Sequence, residues 1–149
     1  MEERRQLARL QGRIQNLDNL GFTELDNVDF ETLPFSATLL DESYIKNNSD
    51  NYLLIGGHML KQLYTKTEFG ILIIDETVDS VTTLASANIE LNSEPATFTH
   101  VKHKGGKWAT VVYAPSGDRL FIVESDRKLT GKMKDRFIEM VADLLRRSY

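Results

Sequence analysis

The spacing of apolar residues changes character twice along the chain, and the changes mark out its elements. Near the start, Leu7, Leu10, Ile14 and Leu17 recur at intervals of three and four, which gathers them on one stripe of a helix over 2–18. Arg5, Arg9 and Arg13 line another face of that helix, and Asn19 with Gly21 supplies its stop. The stripe spans about two heptads, too few for a coiled coil. Residues 1–19 are therefore expected to form an amphipathic helix, either packed on the domain or peripheral and free to pair with another helix. Over 22–37 acids alternate with Phe22, Leu25, Val28, Phe30, Leu33 and Phe35, and Pro34 breaks any helix, which predicts a packed loop.

Residues 51–66 admit two parses: Tyr52–Ile55 as a strand, a break at Gly56-Gly57 and a short helix from His58, or one continuous helix. The second costs about 1 kcal/mol per internal glycine. Beyond it the period falls to two. Phe69 to Asp75 reads as a buried strand, followed by turn residues Glu76, Thr77 and Asp79, and Val81 to Ile89 reads as the next strand. Asn92 to Pro95 is expected to be a loop. Thr97–His103 and Lys107–Ala114 flank Lys104-Gly105-Gly106 as a hairpin, Pro115 to Asp118 is a turn, and Leu120–Glu124 is the last strand.

A final helix runs from a Thr130 cap to Arg147, with Met133, Phe137, Met140, Val141 and Leu144 as its buried stripe. The order implies an α+β fold: N-terminal helices, an antiparallel meander of about five strands, and a C-terminal helix packed on the sheet. No repeat or linker interrupts it, so 1–149 is read as one domain.

Composition narrows the chemistry. The absence of cysteine among 149 residues excludes disulfides, Cys-ligated metals and thiol catalysis, and fits a reducing cytoplasm. The opening Met1 to Arg5 is charged rather than apolar, which is unlike a secretory signal, and no apolar run is long enough to span a membrane. The net charge of −4 is unevenly spread: +1 over 1–20, −10 over 21–100 and +5 over 101–149. A bipolar chain of this kind can present an acidic surface to a basic partner.

No constellation for catalysis stands out. His100 and His103 are three apart on a strand and so face opposite sides, with His58 distant from both, which argues against a shared metal. No serine sits in a Gly-x-Ser-x-Gly elbow, and Gly56-Gly57 lacks the rest of a phosphate loop. The pairs Asp41-Glu42 and Asp75-Glu76 read as turn residues. Lys102, Lys104, Lys107 and Trp108, with Arg127, Lys128, Lys132 and Lys134, offer cations around an aromatic. In an acidic chain these lysines read as a solvated hairpin face rather than a nucleic-acid site.

Leu20-Gly21-Phe22, Leu33-Pro34 and Tyr52 to Gly56, followed by Ile71 to Glu76 with Val78 and Val81, and then Glu90 to Ser93 with Phe98, resemble the pattern of SUKH-superfamily domains. Many of these are bacterial immunity proteins that neutralise a toxin by binding it. The resemblance implies a non-enzymatic protein-binding domain needing no cofactor or metal. Glu24, Asp26, Asp29, Glu31, Asp75, Glu76 and Asp79 would form its acidic face toward a basic toxin. Two other readings stay open: a profilin-like or longin-like homodimeric regulatory domain, and a small-molecule sensor with a pocket near His58 and Asp75.

Overall fold

Within the long strands residues two apart share a face, and that alternation builds the sheet. The computed structural model describes residues 22–25, 35–40, 52–55, 57–78 and 86–148. Eight strands are defined: β1 (Phe22–Leu25), β2 (Tyr52–Ile55), β3 (Met59–Thr67), β4 (Gly70–Thr77), β5 (Ile89–Leu91), β6 (Glu94–Lys102), β7 (Trp108–Ser116) and β8 (Arg119–Ser125). One helix, α1 (Gly131–Arg146), follows them. The sheet order is β1-β2-β3-β4-β8-β7-β6-β5, and every neighbouring pair is antiparallel. Two meanders thus meet at β4 and β8, with β5 on one outer edge and β1 on the other.

One face of this sheet carries the main core. Tyr64 of β3, Leu72 and Ile74 of β4, Phe121 and Val123 of β8, Val112 and Ala114 of β7, and Ala96 and Phe98 of β6 are buried there with Leu91. Phe137, Met140, Val141, Leu144 and Leu145 of α1 close over them, and Phe137 meets Phe69 edge-on at 5.4 Å. Burying such side chains stabilises the fold by roughly 1.5–3 kcal/mol each. The opposite face carries a smaller cluster of Leu63, Ile71 and Ile73.

The α+β class, the antiparallel sheet, the β6–β7 hairpin and the terminal helix agree with the sequence reading. Several details differ. The meander has eight described strands instead of five. His58 to Lys66 is not helical in either of the expected ways: β2 and β3 form a hairpin turning at Gly57, whose φ is 75°. Leu60, Gln62 and Tyr64 all fall on the core face, a period-two row that the interleaved polar residues disguise. Glu76 and Thr77 belong to β4 rather than to a turn.

The expected loop at Asn92 to Pro95 shrinks to the two residues Asn92 and Ser93, both with positive φ as a tight hairpin turn requires, so that Glu94 and Pro95 lie in β6. Residues 86–88 are irregular, and the next strand is Ile89–Leu91. The expected strand across 81–85, the helix over 2–18 and most of the segment 22–37 lie outside the described residues, although 22–25 is strand. Thr130 does occupy the N-cap of α1, but its side chain makes no capping bond.

Candidate functional site

Two groups of polar side chains could carry a function. They are used very differently.

The first is buried. β4 alternates Leu72, Ile74, Glu76 on the core face, and β8 alternates Val123, Phe121, Arg119, so each apolar row ends in a charge. The register sets Phe121 opposite Glu76 and brings Arg119 beside the carboxylate, which is fully buried. Glu76 also accepts hydrogen bonds from the backbone N–H and the hydroxyl of Thr38, each at 2.7 Å. Arg119 donates further to the Ser36 carbonyl at 2.6 Å, and Gln62 donates to the Thr38 carbonyl at 2.8 Å and accepts from Tyr64. A carboxylate taken out of water is tolerated only when it is paired and bonded in this way. The network pins residues 35–40 to the sheet and seats Leu40 in the core. Each described partner of this carboxylate belongs to the sheet or to residues 35–40, so the bonds it makes tie the chain together.

The acidic face expected for a basic partner can be placed in part. Asp75 and Glu76 are neighbours on β4 and point to opposite faces, so they do not act on one surface. Asp75 pairs with Lys61 across the β3–β4 ladder at 2.8 Å. Glu24 lies in β1, and its side chain, with Asp26, Asp29, Glu31 and Asp79, lies outside the described residues, as do Asp41 and Glu42. The histidines are separated as their spacing requires. His100 donates through Nε2 to the Leu129 carbonyl at 2.8 Å, while His103 lies 3.2 Å from Glu124 on the other face. Among the described residues no group of three or more potential metal ligands comes together. No helix among them is long and apolar enough to cross a membrane.

The second group is exposed and cationic. The β6–β7 register sets Lys102 opposite Trp108, on the same face as His100 and Phe98. The segment after β8 is folded back beside them by hydrogen bonds that join backbone groups to the Asp126 and Thr110 side chains and to each other. Ile71 N–H donates to Asp126 Oδ1 at 2.8 Å, and Asp126 N–H donates to the Ile71 carbonyl at 3.1 Å. The buried Thr110 hydroxyl donates to the Arg127 carbonyl at 2.6 Å and accepts from Leu129 N–H at 2.8 Å. Lys128 is thereby held with its ammonium 4.4 Å from the centre of the Trp108 ring, and that of Lys102 lies at 5.8 Å. Lys134, from the first turn of α1, lies 4.7 Å over Phe98, which itself packs edge-on against His100.

Trp108, 38% exposed, is the large apolar side chain most open to solvent among the described residues. Five cations elsewhere are paired: Lys61 with Asp75, Arg119 with Glu76, Arg136 with Glu68, and Arg146 and Arg147 with Asp143. Lys102, Lys104, Lys128, Lys132 and Lys134 form no ion pair among the described residues. The first turn of α1 contains no acid, yet it carries Lys132 and Lys134 where the helix dipole disfavours cations. The sequence shows these lysines around Trp108. What it does not show is that Lys128 and Lys134 are brought onto the hairpin face, because contacts across some twenty to thirty-six residues of chain leave no local pattern.

No family model, curated protein or solved structure matches the chain.

Proposed function

We propose that the chain is a non-enzymatic binding domain that engages a protein partner through the surface around Trp108. The observation that carries this reading is the distribution of cations. Lys102 and Lys128 lie over the half-open indole and Lys134 over the neighbouring Phe98, none of them with a carboxylate partner among the described residues, while Lys61 and four arginines elsewhere are spent on ion pairs. Tryptophan is among the side chains that most often anchor protein interfaces, and unpaired charge around it steers encounter and rejects wrong partners. The groups best suited to catalysis are engaged otherwise: Glu76 in a buried network, His100 on a carbonyl and His103 on Glu124.

Capture from native lysate with the full chain tests the reading when run in parallel with Trp108→Ala and with Lys102→Glu/Lys128→Glu. A protein retained by the parent chain and lost from both variants, with their circular dichroism unchanged, is the expected result. Equal retention by all three chains would overturn it.

A further inference from the structure

Among the described residues the edge of β6 beside Trp108 has no strand paired to it beyond its first half, and its hydrogen-bonding groups point outward. β5 pairs only with Glu94 to Ala96. One step further along, Asn88 takes the place of a strand. Its side-chain amide donates to the Phe98 carbonyl at 2.8 Å and accepts from Phe98 N–H at 2.7 Å. Phe98 therefore directs both backbone groups away from β7. In an antiparallel ladder that direction alternates residue by residue, so His100 and Lys102 also turn their N–H and C=O groups to the open edge. Consistently, His103, an odd step along, donates inward to the Lys107 carbonyl across the hairpin at 2.7 Å. Among the described residues no backbone partner meets His100 or Lys102 on the outer side, and only the Thr99 hydroxyl reaches the His100 carbonyl, at 3.3 Å.

We propose that this edge accepts an extended, acidic segment of a protein partner as an added strand, an inference that rests on the binding reading above. Strand addition draws affinity from main-chain hydrogen bonds and specificity from alternate side chains. Here the alternate side chains of the added strand meet Lys102, Lys128 and Trp108 on one face. Carboxylates at those positions would take up ammonium groups that have no acid of their own within the described residues. Lysines on an edge repel indiscriminate strand pairing, and the same lysines select an acidic strand. A stacked nucleobase fits less well, because the ammonium of Lys128 already lies against the ring.

Trp108 is the chain's only tryptophan, so its emission reports on this surface alone. The full chain is titrated with a glutamate-rich peptide, with its glutamine counterpart, and with the glutamate peptide N-methylated at alternate residues so that it keeps its charge but loses its strand donors. The expected result is a change in indole emission with the first peptide only, weakened by added salt. Lys102→Glu/Lys128→Glu should lower that affinity by roughly tenfold or more, the scale of losing one or two close charge pairs. Equal binding of the methylated and unmethylated peptides would overturn strand addition. So would binding of an oligodeoxythymidylate that displaces the peptide. If a partner captured through Trp108 binds with no salt dependence and the glutamate peptide does not bind, this inference fails while the binding reading stands.

Discussion

The ammonium of Lys128 lies 4.4 Å from the centre of the Trp108 ring, although one residue follows the last strand and the other opens the strand before it. That contact is worth only about 0.5–1 kcal/mol at an exposed site, so the contact itself does not hold the segment in place. The placing is done by the Asp126–Ile71 bond pair and the Thr110 hydroxyl, which fold the chain after β8 back over the sheet. A surface set by such bonding keeps its shape whether or not a partner is present. Such preorganisation lowers the entropy lost on binding.

Gly70 guards this arrangement. Its φ is +80°, and a Cβ placed there would come within 2.3 Å of Asp126 Oδ1. Gly70→Ala is expected to destabilise the protein by about 2 kcal/mol or more, from left-handed strain added to displacement of Asp126. The indole emission of Trp108 should shift as Lys128 moves with the displaced segment. Denaturant unfolding followed by fluorescence measures both effects.

The Glu76–Arg119 pair should behave as a buried charge does. Glu76→Gln is expected to cost about 3 kcal/mol, because it leaves the guanidinium and the Thr38 donors facing an amide. Arg119→Met strands the carboxylate and should cost a similar amount. In the double variant the two losses should fall well short of adding, and a double-mutant cycle in denaturant reads that coupling directly.

Lys132 stands in the first turn of α1, exposed and against the helix dipole. Lys132→Glu should raise the stability of the free protein by about 0.5–1 kcal/mol. The same change should weaken binding of an acidic partner. Thermal unfolding checks the first effect and a binding titration the second. A gain in stability accompanied by a loss of binding is the pattern of a residue retained for function.

At the other end of α1, Asp143 has its carboxyl held below the usual carboxylate range, chiefly by the hydrogen bond from Arg147 at 2.8 Å and further by the charges of Arg147 and Arg146. A lowered folded-state value means that the stabilisation is present above the ordinary carboxylate range and is lost as pH falls through the lowered value. The pair is solvent-exposed, so the effect on global stability is small. Arg147→Ala should move the Asp143 titration back up toward its ordinary position, as followed by carboxyl carbon NMR.

The sequence disclosed most where residues close in the chain meet. The terminal helix follows from Phe137, Met140, Val141 and Leu144, and the β6–β7 hairpin follows from Gly105-Gly106 between two apolar runs. It misled at His58 to Lys66, where Lys61, Gln62 and Lys66 hide a period-two row behind polar residues that helices also favour. Gln62 is polar yet fully buried, because its bonds to the Thr38 carbonyl and Tyr64 compensate it. The inward turn of Arg119 and Glu76 was legible in principle, since each sits two residues along from a buried apolar side chain. Their pairing was not legible, because it depends on the β4–β8 register over more than forty residues of chain. For the candidate surface, the hairpin half could be read from the sequence. The half that arrives after β8 required the bonds of Asp126 and Thr110.

The most direct test of the account is amide hydrogen exchange on the full chain, free and saturated with the partner it captures. The account predicts new protection at His100 and Lys102, at Trp108 to Thr110, and across Arg127 to Lys134. Protection centred on Lys61 and Asp75, or anywhere else, with the Trp108 surface unchanged would contradict it.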